Sequence, residues 1–228
     1  LLPGSDRELI CLRRAQPGTE RGPRLYISAG IHGDEPAGPL ALASLFDHDL
    51  WPRDLELWIC PCLNPTGLAL STRENDQGID LNRDYLHPGS DEVRAHIQWL
   101  EQQPAFDGVL CLHEDWEANG FYCYELGPAP GFSIAEKIVA AVTDVCPIDA
   151  SEVIDGRAAS APGIIRPSID PGSRPQWPEA FWMWQRWQGR SLTLEAPSDF
   201  PLPVRVQALI TATRVALREF TGCAGRRG

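Results

Sequence analysis

The sequence contains almost no lysine: Lys137 is the only one, and the remaining basic residues are arginines. Chemistry that needs a lysine nucleophile or a Schiff base is therefore not expected. The sequence also lacks a Gly-x-Ser-x-Gly motif, a cysteine with an adjacent base and a glycine-rich phosphate-binding loop. These absences argue against catalysis by a serine or cysteine nucleophile and against a phosphate-binding loop of either usual type.

Positive charge is scarce as well. The formal net charge is −11, which argues against a nucleic-acid backbone or an anionic membrane surface as partner. No apolar stretch reaches membrane-spanning length, no signal peptide precedes the first predicted strand, and the seven cysteines are scattered without a Cys-x-x-Cys pair. We therefore expect a cytoplasmic protein that binds neither nucleic acid nor membrane; its oligomeric state stays open.

The length of 228 residues favours one domain over residues 1–228. Apolar strands that alternate with amphipathic helices predict an α/β fold, with a twisted, mostly parallel (mixed) sheet and helices on both faces. The predicted strands are Leu9–Arg13, Arg24–Ile31, Leu55–Cys62, Gly108–Leu112, Gly120–Leu126 and Ser191–Leu194. The predicted helices are Gly38–Phe46, Asp91–Gln102 capped by Ser90, Ser133–Val145 capped by Ser133, and Pro203–Phe220. Asn64–Gly67 is predicted as a turn and Ser71–Tyr85 as a long loop.

Two apolar strands are each followed by residues that can bind a metal. Residues 32–35, His-Gly-Asp-Glu, follow the strand that ends at Ile31, and His113 follows Gly108–Leu112. Because the carboxyl ends of parallel strands meet at one edge of a sheet, we expect His32, Glu35 and His113 to converge. Two histidines and a carboxylate suit catalytic zinc, although the same set also binds iron or manganese.

A third strand end and a polar loop supply groups for hydrolysis. Glu195 ends the apolar run Leu192–Leu194 and is a candidate general base, with an acid at a helix N-terminus ahead of Pro197 as the alternative. Arg73 and Arg83 flank the loop between the first two ligand regions. An arginine fork fits a substrate carboxylate and can stabilise an oxyanion.

The order of these motifs resembles the zinc carboxypeptidase family (M14 metallopeptidases), near its murein peptide amidase and succinylglutamate desuccinylase/aspartoacylase branches. The resemblance extends from about Leu25 to Glu195 and includes Asn-Pro-Thr-Gly at 64–67, Asp-Leu-Asn-Arg at 80–83 and Thr-Leu-Glu at 193–195. It implies a zinc-carboxypeptidase-like fold with one zinc ion per chain. It also implies that His32, Glu35 and His113 bind zinc, Glu195 activates the bound water, Arg73 polarises the scissile carbonyl, and Asn82 with Arg83 holds the substrate carboxylate.

The residues leave three functions to be weighed. The first is a metallocarboxypeptidase-like hydrolase that cleaves an amide bond next to a free carboxylate in a small peptide. The second is a deacylase of N-acyl amino acids, which would use the same metal residues. The third is a metal-free binding protein, and the complete set of ligands, base and arginines argues against it.

Specificity is expected from the segment between His113 and Glu195, where the sequence leaves several roles open. Tyr122 and Tyr124 follow His113 too closely to be assigned as the tyrosine that caps the substrate carboxylate in larger relatives. Glu114 or Asp115 can orient a ligand histidine, contact a basic substrate group or be solvated. The aromatic stretch Trp177–Trp187 is interpreted as core or lid, with a pocket wall as the alternative.

Overall fold

A mixed sheet of seven strands forms the centre of the fold. The computed structural model describes residues 8–15, 22–127 and 133–224. The strands lie in the order β1-β3-β2-β4-β9-β5-β8, with parallel pairing for β2 with β3 and β4, β4 with β9, and β5 with β8. Pairing is antiparallel for β1 with β3 and for β5 with β9. The sheet strands are β1 (Leu12–Arg14), β2 (Arg24–Ala29), β3 (Glu56–Cys60), β4 (Gly108–Asp115), β5 (Tyr122–Leu126), β8 (Ile164–Ile165) and β9 (Arg190–Pro197), and a separate small hairpin pairs β6 (Val153–Ile154) with β7 (Arg157–Ala158).

Helices cover both faces of the sheet, as the alternating pattern predicts. They are α1 (Ala37–Asp47), α2 (Pro65–Leu70), α3 (Asp91–Leu100), α4 (Ala135–Val142), α5 (Glu179–Trp187) and α6 (Leu202–Ala224). Strand β2 shows the division, because Leu25 and Ile27 pack in one apolar core with residues of α1, α4 and α6, whereas Tyr26 packs in a second core with residues of α3 and α5. No helix among the described residues is both long and apolar enough to cross a membrane.

The predicted turn at Asn64–Gly67 is wrong, because these residues begin helix α2. Asn64 is its N-cap: the Asn64 Oδ1 atom accepts a hydrogen bond from the Gly67 N–H at 2.8 Å. Pro65 occupies the first helical position, where a missing N–H is tolerated. The predicted long loop that follows contains a short 3-10 helix, Leu81–Arg83.

Two other details differ from the sequence predictions, and one agrees with them. Strands β4 and β9 continue past the apolar runs, so His113 and Glu195 lie inside strands and not at their ends. Helix α4 begins at Ala135 without a side-chain cap, because the Ser133 hydroxyl donates to Glu125 Oε2 at 2.7 Å instead. Ser90 does cap α3, where its Oγ accepts from the Val93 N–H at 3.2 Å.

Candidate active site and metal centre

His32 and Glu35 lie in the turn that follows β2. The Glu35 N–H donates to the His32 carbonyl oxygen at 3.4 Å, and α1 begins at Ala37 directly afterwards. Gly33 is needed in this turn, because a Cβ atom there would lie 1.9 Å from the carbonyl carbon of Gly67. The two short motifs, His-Gly-Asp-Glu and Asn-Pro-Thr-Gly, therefore pack against each other through their glycines.

The structure brings His32, Glu35 and His113 together. Glu35 lies between the two histidines: its Oε1 is 2.5 Å from His32 Nδ1, and its Oε2 is 3.0 Å from His113 Nδ1. One potential ligand atom from each residue lies within 4.8 Å of the others, and all three side chains are buried. Catalytic zinc sites use a nitrogen–nitrogen–oxygen set of this kind and keep a further position for water or substrate.

The electrostatics of the three residues favour a positive charge among them. Burial alone would raise the pKa of Glu35, but the two histidines, His113 foremost, lower it to about 2. Burial would lower the pKa of each histidine, yet contacts with Asp80 and Glu35 raise that of His32, and Glu35 raises that of His113. Because the site stabilises added positive charge, the donor set fits a divalent cation.

Asp80 and Arg73 hold the outer side of His32. Asp80 Oδ1 lies 3.3 Å from His32 Nε2, and the Arg73 Nε–H donates to Asp80 Oδ2 at 3.1 Å. Such a carboxylate contact on the outer ring nitrogen fixes the orientation of a ligand histidine. Sequence reasoning assigned no role to Asp80, although it begins the Asp-Leu-Asn-Arg motif.

Glu195 lies directly beside His113, because the two residues are paired in register on the parallel strands β4 and β9. The Glu195 side chain lines the same cavity as the three candidate ligands. Burial raises its pKa to about 8, and the nearby His113 acts in the opposite direction. A buried carboxyl group with a raised proton affinity, adjacent to the candidate ligands, can accept and return a proton.

Asn82 and Arg83 belong to the short 3-10 helix, and both line the cavity. The Glu179 N–H at the start of α5 donates to Asn82 Oδ1 at 3.0 Å. Within the described part of the chain the Asn82 NH₂ group has no acceptor, so it can donate to a ligand. The Arg83 side chain is exposed and donates from Nη1 to its neighbour's carbonyl oxygen at 3.2 Å. Two donor groups of this kind suit a carboxylate.

The cavity around these residues has a volume of about 640 Å³, which is large enough for a small peptide or an acylated amino acid. Its walls include several residues between His113 and Glu195, where the sequence predicts specificity to lie. Among them are Trp116, Tyr122, Tyr124, Asp155, Arg157, Arg174 and Phe181.

The two tyrosines of this wall already donate to carboxylates. The Tyr122 hydroxyl donates to Asp115 Oδ2 at 2.9 Å, and the Tyr124 hydroxyl donates to Asp155. The structure therefore does not single out either as a carboxylate-capping tyrosine.

Arg157 and Arg174 place two guanidinium groups in the same wall, which also contains Asp155. The Arg174 guanidinium carbon lies 4.2 Å from the centre of the Phe181 ring, and Arg174 Nη2 donates to the Ser168 carbonyl oxygen at 2.9 Å. Burial first, and then the positive charge of Arg157, lower the pKa of Arg174. Within residues 8–15, 22–127 and 133–224, neither guanidinium forms an ion pair, and Arg174 Nε is buried without a hydrogen-bond partner. No motif in the sequence identifies these arginines.

Glu114 has none of the roles weighed for it from the sequence. Its side chain points away from the histidines: Oε1 accepts from the Ala37 N–H at 2.6 Å, and Oε2 is paired with Arg205 of α6. Only its backbone touches the candidate centre, where the Glu114 N–H donates to Glu35 Oε2 at 3.0 Å. Glu114 therefore supports the site through the start of α1.

The aromatic stretch Trp177–Trp187 contributes mainly to packing. Trp182 and Trp187 pack against the core that contains Tyr26, and Trp184 packs with Phe181 in a small cluster. Phe181 and Ala180, not the tryptophans, line the cavity. The described structure thus agrees with the interpretation as core for the tryptophans and adds one pocket residue, Phe181.

Sequence comparisons place the chain among hydrolases. Residues 21–151, more than half of the chain, match the succinylglutamate desuccinylase/aspartoacylase catalytic domain. Carboxypeptidase SOL1 of Arabidopsis thaliana is 31% identical over 120 residues, which cover 43% of this chain and 24% of SOL1. Murein peptide amidase A of Escherichia coli K12 is 32% identical over 84 residues, which cover 37% of this chain and 34% of the amidase. The chain thus spans only a quarter to a third of the length of these curated relatives.

Solved structures show the same fold over nearly the whole chain. A protein classed as a metallopeptidase from Shewanella amazonensis SB2B superposes with a TM-score of 0.78 at 28% identity, covering 93% of this chain and 82% of its own. A metallo-carboxypeptidase from Pseudomonas aeruginosa has a TM-score of 0.67 at 18% identity, covering 94% of this chain and 62% of its own, and shows the fold alone. The fold is that of the metallocarboxypeptidases. The chain belongs to the succinylglutamate desuccinylase/aspartoacylase catalytic domain family.

Proposed function

We propose that the protein is a zinc-dependent hydrolase that cleaves an amide bond next to a free carboxylate. The observation that carries this proposal is the buried His32–Glu35–His113 set with Glu195 in register beside His113. Zinc bound by these three residues, one ion per chain, would supply Lewis acidity toward water and the scissile carbonyl. The proposal includes a small soluble substrate, a cytoplasmic location and a single catalytic domain over residues 1–228.

The protein's own side chains divide the work between proton transfer and substrate binding. Glu195 accepts a proton from the attacking water and returns it to the leaving nitrogen. Arg73, which lies 3.7 Å from Glu35 through Nη1, stabilises negative charge that develops on the carbonyl oxygen. The Asn82 amide and the Arg83 guanidinium hold the substrate carboxylate, which places the neighbouring amide bond over the centre.

The decisive experiment replaces the base without removing a ligand. A Glu195→Gln variant should lose at least ~10²-fold in kcat, the magnitude expected for a general acid–base group. Its zinc content, measured by atomic emission, should match that of the parent at one ion per chain. Glu152→Gln, an exposed glutamate outside the cavity walls, is the matched control and should keep full activity. A Glu195→Gln protein as active as the parent would refute the mechanism.

The second candidate, a deacylase of N-acyl amino acids, is favoured by the matched family and by Arg157 and Arg174. Two guanidinium groups that face one cavity without an ion pair in the described structure suit a substrate with a second carboxylate. Asn82 with Arg83 would bind the first carboxylate and the arginine pair the second. We therefore propose that acylated acidic amino acids, or peptides that end in one, are the preferred substrates.

A substrate panel distinguishes the two candidates and tests the arginine pair. N-acyl amino acids and short peptides should each be offered with an acidic and with an isosteric amide side chain. The parent should prefer the acidic member, and Arg174→Gln should reduce that preference by at least about tenfold in kcat/KM, the size of ~1.4 kcal/mol. Arg186→Gln, on the exposed end of α5 outside the cavity, serves as control. An unchanged acidic preference in Arg174→Gln would contradict the assignment of this subsite but leave the hydrolase proposal intact.

A further inference from the structure

Two thiols lie in contact on neighbouring strands, away from the catalytic cavity. Cys11 precedes β1 and Cys60 ends β3, and their Sγ atoms are 3.1 Å apart. Strands β1 and β3 are antiparallel, with Leu12 opposite Ile59, so the same register places Cys11 opposite Cys60. Directly opposed residues of an antiparallel pair have Cα atoms about 4.5–5.5 Å apart, which is within the range that a disulfide spans.

We propose that Cys11 and Cys60 are a reversible modification site. Small-molecule disulfides such as oxidised glutathione oxidise the two thiols, which then form an intramolecular disulfide. The inference does not depend on the proposed hydrolase activity.

The different burial of the two sulfurs sets the order of the reaction. Cys11 is half-buried and Cys60 fully buried, so a soluble oxidant reaches Cys11 first. The hydrogen bond from Cys60 lowers the pKa of Cys11 despite its partial burial, whereas burial raises the pKa of Cys60. Cys11 is therefore the better thiolate and Cys60 the resolving thiol.

Each step conserves atoms and electrons. The Cys11 thiolate attacks oxidised glutathione, whose S–S bond breaks, and one glutathione thiolate leaves. Cys60 then releases its proton to solvent, its sulfur bonds to the Cys11 sulfur, and the second glutathione thiolate leaves. Two protein thiols are oxidised while one glutathione disulfide is reduced. Added thiol reverses both steps.

The disulfide would tie the edge strand β1 to β3 across 49 residues of sequence. A cross-link of that span restricts the unfolded chain and should raise the midpoint of thermal unfolding, Tm, by about 5–15 °C. The candidate ligands follow β2 or lie in β4, and the base lies in β9, so catalysis should change by less than about twofold.

The test oxidises the whole protein with glutathione disulfide and follows it by intact mass, peptide mapping and Tm. We expect loss of two hydrogen masses, a Cys11–Cys60 linked peptide and a higher Tm, all reversed by dithiothreitol. Cys62→Ser is the control, because the Cys62 sulfur faces the Gly30 carbonyl oxygen at 4.0 Å instead, and this variant should behave as the parent. Cys11→Ser should show neither the disulfide nor the increase in Tm. This variant is sufficient for the test if Cys60→Ser does not fold.

Three results would overturn the proposal. The first is a glutathione adduct that persists on Cys11, the second is a different cysteine pair in the linked peptide, and the third is a linked protein whose Tm is not raised.

Discussion

Glu35 has the central position in the candidate centre. One carboxylate contacts both histidines, at 2.5 and 3.0 Å, and also accepts the backbone N–H of Glu114. These contacts fix the relative positions of the two rings through the protein's own hydrogen bonds. The ligand set is thus preorganised, which lowers the ordering cost of binding a metal ion.

His96 is buried between two tyrosines, and its neutral form can be deduced from the hydrogen bonds. The Tyr26 hydroxyl donates to Glu179 Oε1 at 2.7 Å, so its contact with His96 Nε2 at 2.8 Å must be donated by the ring. His96 Nδ1 then accepts from the Tyr85 hydroxyl at 2.7 Å. Burial lowers the pKa of His96 to about 3, which agrees with a neutral ring.

This buried histidine predicts a loss of stability in mild acid. Below about pH 6.5 the unfolded chain protonates His96 but the folded protein does not, so the free energy of unfolding should fall by about 1.4 kcal/mol per pH unit from this group. In urea unfolding between pH 6.5 and 5, the free energy of unfolding of His96→Gln should lack the part of the pH dependence that comes from protonation of His96. Equal slopes for parent and His96→Gln would contradict this account.

Some functional residues can be identified from the sequence and others cannot, and His96 shows why. His32, Glu35, His113 and Glu195 were identifiable because each adjoins an apolar run, so their convergence follows from parallel strands. His96 lies within a helical pattern that gives no such signal, and it is buried. Its partners Tyr26 and Tyr85 lie 70 and 11 residues away in the sequence, and no local pattern reports such a contact.

At the scale of elements, α2 connects the two halves of the candidate site. Its N-cap, Asn64, accepts from the Gly67 N–H, and the Asn64 Nδ2–H donates to the Arg73 carbonyl oxygen at 3.3 Å. Gly67 in turn contacts Gly33 of the ligand turn. The buried Asn64 side chain thus positions two backbone segments, one at Gly67 next to the candidate ligands and one at Arg73.

An Asn64→Ala variant should therefore be less stable by about 1–3 kcal/mol, from the lost cap and the unpaired buried groups. Asn64→Asp keeps the acceptor for Gly67 but loses the donor to Arg73, so it should be more stable than Asn64→Ala and still impair kcat/KM. Urea unfolding and kinetics on the same preparations measure both effects. An Asn64→Ala protein as stable as the parent would show that the cap contributes nothing.

The bounds of helices and strands were predictable where hydrophobic periodicity sets them. They were less predictable where a helix cap or the end of a strand sets them. Helix α3 and strand β2 begin at the predicted residues, Asp91 and Arg24. The start of α2 was interpreted as a turn because Asn, Pro and Gly occur in both contexts, although Asn followed by Pro also fits a capped helix start. Strand β4 extends through His113 and Glu114, because both polar side chains have partners there. His113 faces the candidate site, and Glu114 contacts Ala37 and Arg205.

At the scale of the whole molecule, the last helix is joined to the candidate centre by one buried ion pair. Arg205 of α6 pairs with Glu114 of β4, whose other oxygen holds the first residue of α1. The Glu114 side chain is fully excluded from solvent, and that of Arg205 is 15% exposed. Glu114 and Arg205, 91 positions apart in the sequence, thus hold α1, the helix that follows the ligand turn. The sequence alone could not reveal this contact.

Removing one member of this pair should affect the whole fold. Arg205→Met leaves the Glu114 carboxylate buried without its cation, so we expect a loss of about 3–5 kcal/mol in the free energy of unfolding. The double variant Glu114→Gln, Arg205→Met removes the charge but retains an acceptor for the Ala37 N–H, so it should regain part of that loss. Denaturant unfolding of the parent, both single variants and the double variant gives the coupling energy directly. If Arg205→Met lay within about 1 kcal/mol of the parent, the ion pair would contribute no more than an exposed one, and its role in holding α1 and α6 against β4 would have to be abandoned.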